Sequence, residues 1–372
     1  MGTKVDSLRT QALDLLRFPL AIVILSIHII LGIENDIIAL QNNTGGEFFI
    51  SNAILQFIRA FFVNQSVPVY FFISGYVFFL GLKDWDKEKY INKLKNRINS
   101  LLIPYIVWNT LMLIILLLAI YSVPSIVTAN GGNFTLEGFL SAYWKYDGTL
   151  TGAIPSRKPI DYPLWFVRDL MIIVLFAPIL YNLLKKRGKT LISLFIILWA
   201  ILKIVHIEII PSADGLVFFS MGAYMSLNSI DMMAQFGKYK KTTAIAFVLL
   251  GISHIIAQNY GVRMITDIIK IPMIFTGLFF VYNVSAVLIT TEKIKISKFL
   301  SSASFFLYIS HPLICSKILF LCKKIIKPNS DIMLSVCYLL SVILTVLILL
   351  IIFKTMQRHT PKLLSVMVGR KG

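Results

Sequence analysis

Acidic residues are scarce in this chain of 372 residues: 18 Asp and Glu stand against 36 Lys and Arg, a formal net charge of +18. Charge of either sign is thin, at 15% of residues against 57% hydrophobic. No soluble domain of this length needs so much apolar surface, so the composition excludes an ordinary globular enzyme. Cysteine is nearly absent. Cys315, Cys322 and Cys337 all lie in late apolar segments, which suggests neither a disulfide framework nor a zinc site. No metal is expected. An excess of base would suggest nucleic acid in a soluble protein. Here the basic residues cluster between apolar runs, which points to membrane topology and the anionic inner leaflet instead. No tandem repeat is present. No small-residue cleavage site follows the first apolar segment, so it is expected to stay as a helix.

What the chain does have is long apolar runs. A span needs about 20 such residues. Ten candidates are found, at 13–33, 53–82, 101–121, 163–184, 190–209, 213–228, 242–258, 264–290, 299–322 and 332–353. The fold class expected is therefore all-α: a polytopic membrane protein of about ten helices, one membrane-embedded domain over 1–372 with no soluble extracytoplasmic domain. The second run is too long for one straight helix, and Pro68 is expected to break it. With the N-terminus inside, alternation puts 23 basic residues on the cytoplasmic side and 7 outside, the remaining 6 lying within spans. That bias places both termini in the cytoplasm.

Two outer loops stand out. Residues 34–52 carry Glu34, Asp36 and Glu47 and no base. Residues 122–162 form the longest loop, with Asn130-Gly-Gly-Asn, Tyr143-Trp144 and Tyr146. Polar and aromatic residues together suit sugar binding, and equally a membrane-interface belt.

The first span carries Arg17 and His28 inside what should be lipid. Such groups are expensive at membrane depth and mark functional interiors. Eleven residues apart, they project from one helix face, about 16 Å from each other along the axis. Arg17 lies toward the cytoplasm, His28 past the middle. Asp14, one turn earlier, can pair with Arg17. A basic wall of this length suits a rod-like anion entering from the cytoplasm. Coenzyme A has phosphates at one end and a thioester at the other. Cytoplasmic bases would hold the phosphates, and a neutral His28 would take the proton of an incoming hydroxyl. Taken singly, a snorkelling arginine and a histidine bonded to a neighbouring helix are the competing structural explanations.

Further segments carry a resemblance. Val67-Pro-Val-Tyr-Phe-Phe-Ile-Ser74-Gly75-Tyr falls in the second span, and Arg97 with Leu102-Ile-Pro104-Tyr-Ile-Val-Trp108 enters the third. Pro163-Leu-Trp165-Phe-Val-Arg168-Asp169-Leu opens the fourth. Phe218-Phe-Ser-Met-Gly222-Ala-Tyr lies in the sixth, and Ser304-Phe-Phe-Leu-Tyr308-Ile-Ser-His311-Pro312 in the ninth. In order and spacing, over nearly the whole chain, they resemble acyltransferase family 3 of integral membrane proteins. The resemblance implies transfer of an acyl group, often acetyl, from cytoplasmic acyl-CoA to a hydroxyl of an extracytoplasmic or lipid-linked carbohydrate, in a bacterial inner membrane. It also implies that Arg17 and His28 are the family's first-helix pair. Where the family commonly reads Arg-x-x-Arg, Arg97 matches and Ser100 takes the second place. Donor phosphates would then rest on Lys93, Lys95 and Arg97. A homo-oligomer or partner glycan-assembly proteins are compatible with this role.

Other buried polar groups carry two readings each. Arg168 could stabilise an oxyanion and Asp169 orient the acceptor, or the two form a structural ion pair. His311 could share proton transfer with His28 or bind the donor with Tyr308, or make a structural hydrogen bond. Lys203, His206 and Glu208, and the i,i+3 pair Asp267 and Lys270, are either structural or acceptor-binding. Ser74-Gly75 is expected to permit close helix approach. The rival class is a transporter or flippase of an anionic or lipid-linked solute. Transporters often show paired broken helices in two halves, and only one clear break, at Pro68, is expected here.

Overall fold

The computed structural model describes residues 2–44, 48–82, 86–127, 131–152 and 155–369. Glu47, Lys83, Asn130, Arg370 and Lys371, counted above, lie outside them. The described chain is helical, without a strand. Helices α1 (Gly2–Thr44), α2 (Phe49–Ile58), α3 (Asn64–Phe79), α4 (Lys87–Arg97) and α5 (Ile103–Ser122) come first. Then follow α6 (Leu136–Trp144), α7 (Trp165–Leu175), α8 (Ala177–Ile204), α9 (Ala213–Leu227), α10 (Met232–Lys238), α11 (Lys240–Asn259) and α12 (Arg263–Thr290). Helices α13 (Lys298–Ser310), α14 (Cys315–Ile326), α15 (Asp331–His359) and α16 (Pro361–Val368) complete the order.

Among the described residues six helical runs are long and apolar enough to cross a membrane, and up to eight if each of two bent pairs is one span. The expected ten are not reached, for local reasons. The runs at 163–184 and 190–209 fall on α7 and α8, which are bent by 67° after Leu175, and Arg187 leaves the helical region at φ −142°, ψ 42°. The run at 299–322 is bent by 62° at the turn His311–Leu313. The run at 213–228 is α9, 15 residues. That is about 22 Å of helix, short of a hydrocarbon core of about 30 Å.

The second run differs from expectation too. Pro68 does not break it; the residue sits inside α3. The irregularity is a wider, π-helical turn at Arg59–Val63, just before α3. A proline ring crowds the carbonyl four residues back, and a loosened turn upstream gives it room. Arg59 on that turn forms an ion pair with Glu34 of α1. Asp36 pairs with Lys323 of α14 at 2.8 Å. These acids explain why α1 runs helical beyond the expected 13–33: its C-terminal end is fastened to two neighbours.

Helix α3 crosses α9 at close range. A Cβ on Gly75 would lie 2.0 Å from the Phe219 carbonyl oxygen, and one on Gly222 would lie 2.1 Å from that of Phe72. Only hydrogen fits at both, as Ser74-Gly75 led us to expect. Phe71, Phe72, Phe78, Phe79, Phe218 and Phe219 fill the surroundings, all at most 2% exposed. The outer helices behave oppositely. Leu118, Leu249 and Ile351 are at least 60% exposed. A belt of such residues faces lipid in a membrane protein, where a soluble protein would aggregate.

Candidate functional site

His28 on α1 reaches the interior and meets two rings. The Tyr162 ring lies 4.4 Å from it, tilted by 53°. The His311 ring is stacked on it at 5.1 Å, with 24° between planes. Tyr162 and His311 are 6.2 Å apart, edge to face. Residues from the first and ninth expected spans and from the end of the 122–162 loop thus converge on one cluster.

Local chain chemistry sets the state of His311. It ends α13, and Pro312 follows with no N–H for the carbonyl of Tyr308. The imidazole turns back on its own helix, with Nδ1 3.2 Å from the Leu307 carbonyl oxygen. A carbonyl only accepts, so Nδ1 must carry the hydrogen of the neutral ring and Nε2 the lone pair. Nε2 is buried with no partner among the described residues.

Two cavities lie on opposite faces of α7, called inner and outer for the sides that the charge bias predicts, and neither has His28 or His311 in its lining. The inner one, about 310 Å³, takes Arg17, Arg97, Ser74, Ser100 and Tyr308 into its lining, with Phe166 and Leu170 from α7. Arg17 pairs with Asp14 at 3.1 Å, as expected. Its backbone carbonyl accepts from the Tyr70 hydroxyl at 2.6 Å. The Arg97 guanidinium lies 5.7 Å over the Phe78 ring and has no carboxylate partner among the described residues. Lys93 is turned away from the cavity, donating to the Phe78 carbonyl at 2.6 Å, and Lys95 is exposed. The Tyr308 hydroxyl donates to the Pro163 carbonyl. Uncompensated positive charge beside serine hydroxyls suits the phosphates of acyl-CoA.

The outer cavity, about 420 Å³, takes Trp165, Arg168 and Asp169 from the other face of α7. Lys203, His206, Glu208, Asp267 and Lys270 share it. Arg168 is 3% and Asp169 1% exposed. The guanidinium pairs with Asp169 at 2.9 Å and donates to the carbonyls of Trp144 at 2.6 Å and Arg157 at 2.9 Å. It also lies 5.4 Å over the Trp144 ring. Asp169 in turn accepts the Ser212 N–H at 2.7 Å, at the start of α9. Arg168 therefore binds the long outer loop down onto α7. In that loop Tyr143 is occupied by α5, its hydroxyl 2.8 Å from Thr110 Oγ1, whereas the Trp144 ring stays 51% exposed.

The structure thus brings His28 and His311 together, and Arg17 with Arg97 and Tyr308. It sets Arg168 and Asp169 on the opposite side of α7. Each group has a member near the histidines: Tyr308 lies one turn before His311, and Lys158, an outer-cavity residue, is within electrostatic reach of His28. Tyr162, Tyr70 and Asp161 were missed from sequence. Tyr162 immediately precedes Pro163-Leu-Trp165, which was the available signal. Nothing local marks it as facing a histidine 134 positions earlier. Among the described residues no group of three or more His, Cys, Asp or Glu could hold a metal ion.

Helices of this length, a stacked histidine pair and two charged cavities define a multi-pass membrane protein with a polar interior. Residues 10–354 match the acyltransferase domain of acyltransferase family 3, and the chain belongs to that family. It is similar to the succinoglycan biosynthesis protein ExoH of Rhizobium meliloti (strain 1021), 28% identical over 195 residues. The match takes in 50% of this chain and 48% of ExoH, so it spans about half the length of that relative. No solved structure matches the chain.

Proposed function

We propose that this chain moves an acyl group, acetyl being the expected one, from cytoplasmic acyl-CoA to a hydroxyl of an extracytoplasmic or lipid-linked carbohydrate across a bacterial inner membrane. The observation that carries the reading is the stacked His28–His311 pair, in a fold where one face of α7 borders a cavity bearing Arg17 and Arg97 and the other a cavity bearing Arg168 and Asp169. Relationship to a polysaccharide biosynthesis protein supports a carbohydrate acceptor.

A bound acyl-CoA supplies the activated carbonyl. Arg97 and Arg17 hold its phosphate end, with Lys93 and Lys95 at the cytoplasmic approach, and Tyr308 borders the channel. His28 is the general base: it takes the proton of the acceptor hydroxyl as the oxygen attacks the thioester carbonyl, the C–S bond then breaks, and CoA leaves as the thiol with that proton. His311 offers its Nε2 lone pair as a second acceptor for the same proton. Arg168 acts by holding the outer loop over the site, and Asp169 fixes the start of α9 beneath it.

The test is acyl transfer by a His28→Ala protein, measured in cells with matched protein levels and with purified protein and labelled acetyl-CoA. Loss of a general base costs on the order of 10²–10⁴ in rate. Unchanged transfer by His28→Ala would remove the base from the mechanism. Solute uptake without transfer by the wild type would favour a carrier.

A further inference from the structure

The outer cavity holds more positive charge than it neutralises. Five Lys and Arg and four Asp and Glu line it. Three of the four acids already face a Lys or Arg, and the fourth faces a histidine. Asp169 is held by Arg168 at 2.9 Å and Asp214 by Lys203 at 2.9 Å. Asp267 meets His206 at 3.3 Å, and Glu208 meets Arg157 at 3.9 Å. Lys158 and Lys270 are left over, with no side-chain partner among the described residues. Asp267, one turn before Lys270, is turned to His206 instead. A second cavity of about 650 Å³ shares His206, Asp267 and Lys270 with the first and adds Arg263, also unpaired.

An ammonium group held in a cavity without a counter-ion is costly unless something completes its shell. Lys270 is half-buried and borders both cavities. The cavities also adjoin the reaction centre. Ile27, next to His28, lines the larger one, and Lys158 lies within electrostatic reach of His28.

We infer that the two outer cavities form one anion-binding acceptor site, in which Lys270, with Lys158 and Arg263, takes an oxyanion carried by the acceptor. The oxyanion is a carboxylate of the glycan or the phosphate joining it to a lipid carrier; both present charged oxygens to an ammonium in the same way. This rests on the acyltransferase reading, because it specifies the acceptor which that reading requires. The anion would anchor the acceptor on the outer side while its hydroxyl reaches His28.

The test is calorimetric titration of the purified full-length protein with glucuronate, glucose 1-phosphate and a short-chain isoprenyl phosphate, with methyl glucoside as the neutral control. At least one anion is expected to bind, more weakly as salt is raised. Lys270→Gln is expected to weaken it on the order of tenfold, about 1.4 kcal/mol, and Lys270→Arg to restore most of the loss. Unchanged thermal midpoints in both variants establish that the fold survives. Binding of glucuronate without isoprenyl phosphate assigns the charge to the glycan, and the reverse assigns it to the carrier. No anion bound by the wild type, equal affinity in Lys270→Gln, or methyl glucoside bound as tightly as glucuronate overturns the inference. Failure of the transfer reading shows itself separately, as activity retained by His28→Ala.

Discussion

The His311 imidazole, placed just before Pro312, turns its Nδ1 back to the Leu307 carbonyl oxygen of the preceding turn. One residue thereby sets a tautomer, and the tautomer leaves a lone pair facing no partner beside His28. Asp161 poses the opposite problem. It is 0% exposed, its N–H is bound by Asn109 Oδ1 at 3.1 Å, and neither carboxylate oxygen has a partner among the described residues. Burial pushes its carboxyl well above the usual carboxylate range. Above the ordinary carboxylate pKa of about 3.9, the native state then keeps a proton that the unfolded chain has released. Stability accordingly falls as pH rises from there to the folded pKa. Asp161→Asn carries no such penalty. Its thermal midpoint in detergent is expected to exceed that of the wild type near neutral pH, with the gap closing toward pH 4 or so. A gap independent of pH, or a less stable variant at neutral pH, contradicts this account.

Among the elements, the α3–α9 crossing is the least forgiving. Each backbone carbonyl sits where the partner's Cβ would be, so an added methyl must push backbone rather than a flexible side chain. Overpacking of this kind costs roughly 1–3 kcal/mol. Gly75→Ala and Gly222→Ala are each expected to lower the unfolding midpoint and the yield of folded protein. Gly237→Ala is the control, since a Cβ there meets nothing within 4 Å. Equal midpoints in all three would mean that the crossing is looser than described. Ser74-Gly75 made this contact readable in advance, because a small pair inside a run of large apolar residues has few other uses. The π-helical turn at Arg59–Val63 was not readable. Pro68 signals trouble for a helix but not where the chain will absorb it, and the place is set by the Glu34 partner on another helix.

For the whole molecule, orientation is the property on which the route from donor to acceptor depends. We propose from the charge bias that Lys185 to Lys189 lie in the cytoplasm and the loop with Lys145 outside. Cys315, Cys322 and Cys337 are buried, so they form a quiet background for labelling. In intact cells a membrane-impermeant maleimide is expected to label Lys145→Cys and to spare Lys186→Cys until the membrane is opened. The reverse pattern would invert the path of the acyl group.

Composition was enough to establish a helical membrane protein, because a surplus of apolar residues has no other stable disposition. Helical period was enough to put Arg17 and His28 on one face of α1, and motif order was enough to reach the family. The count of spans was not legible: whether bent pieces such as α7 and α8 form one crossing or two depends on angles between helices, which hydropathy does not carry. Nor was the separation of Arg168 from Arg17 by a single helix wall, or the stacking of two histidines more than 280 residues apart. Those are relations between distant segments, and only packing of the folded chain brings such segments together.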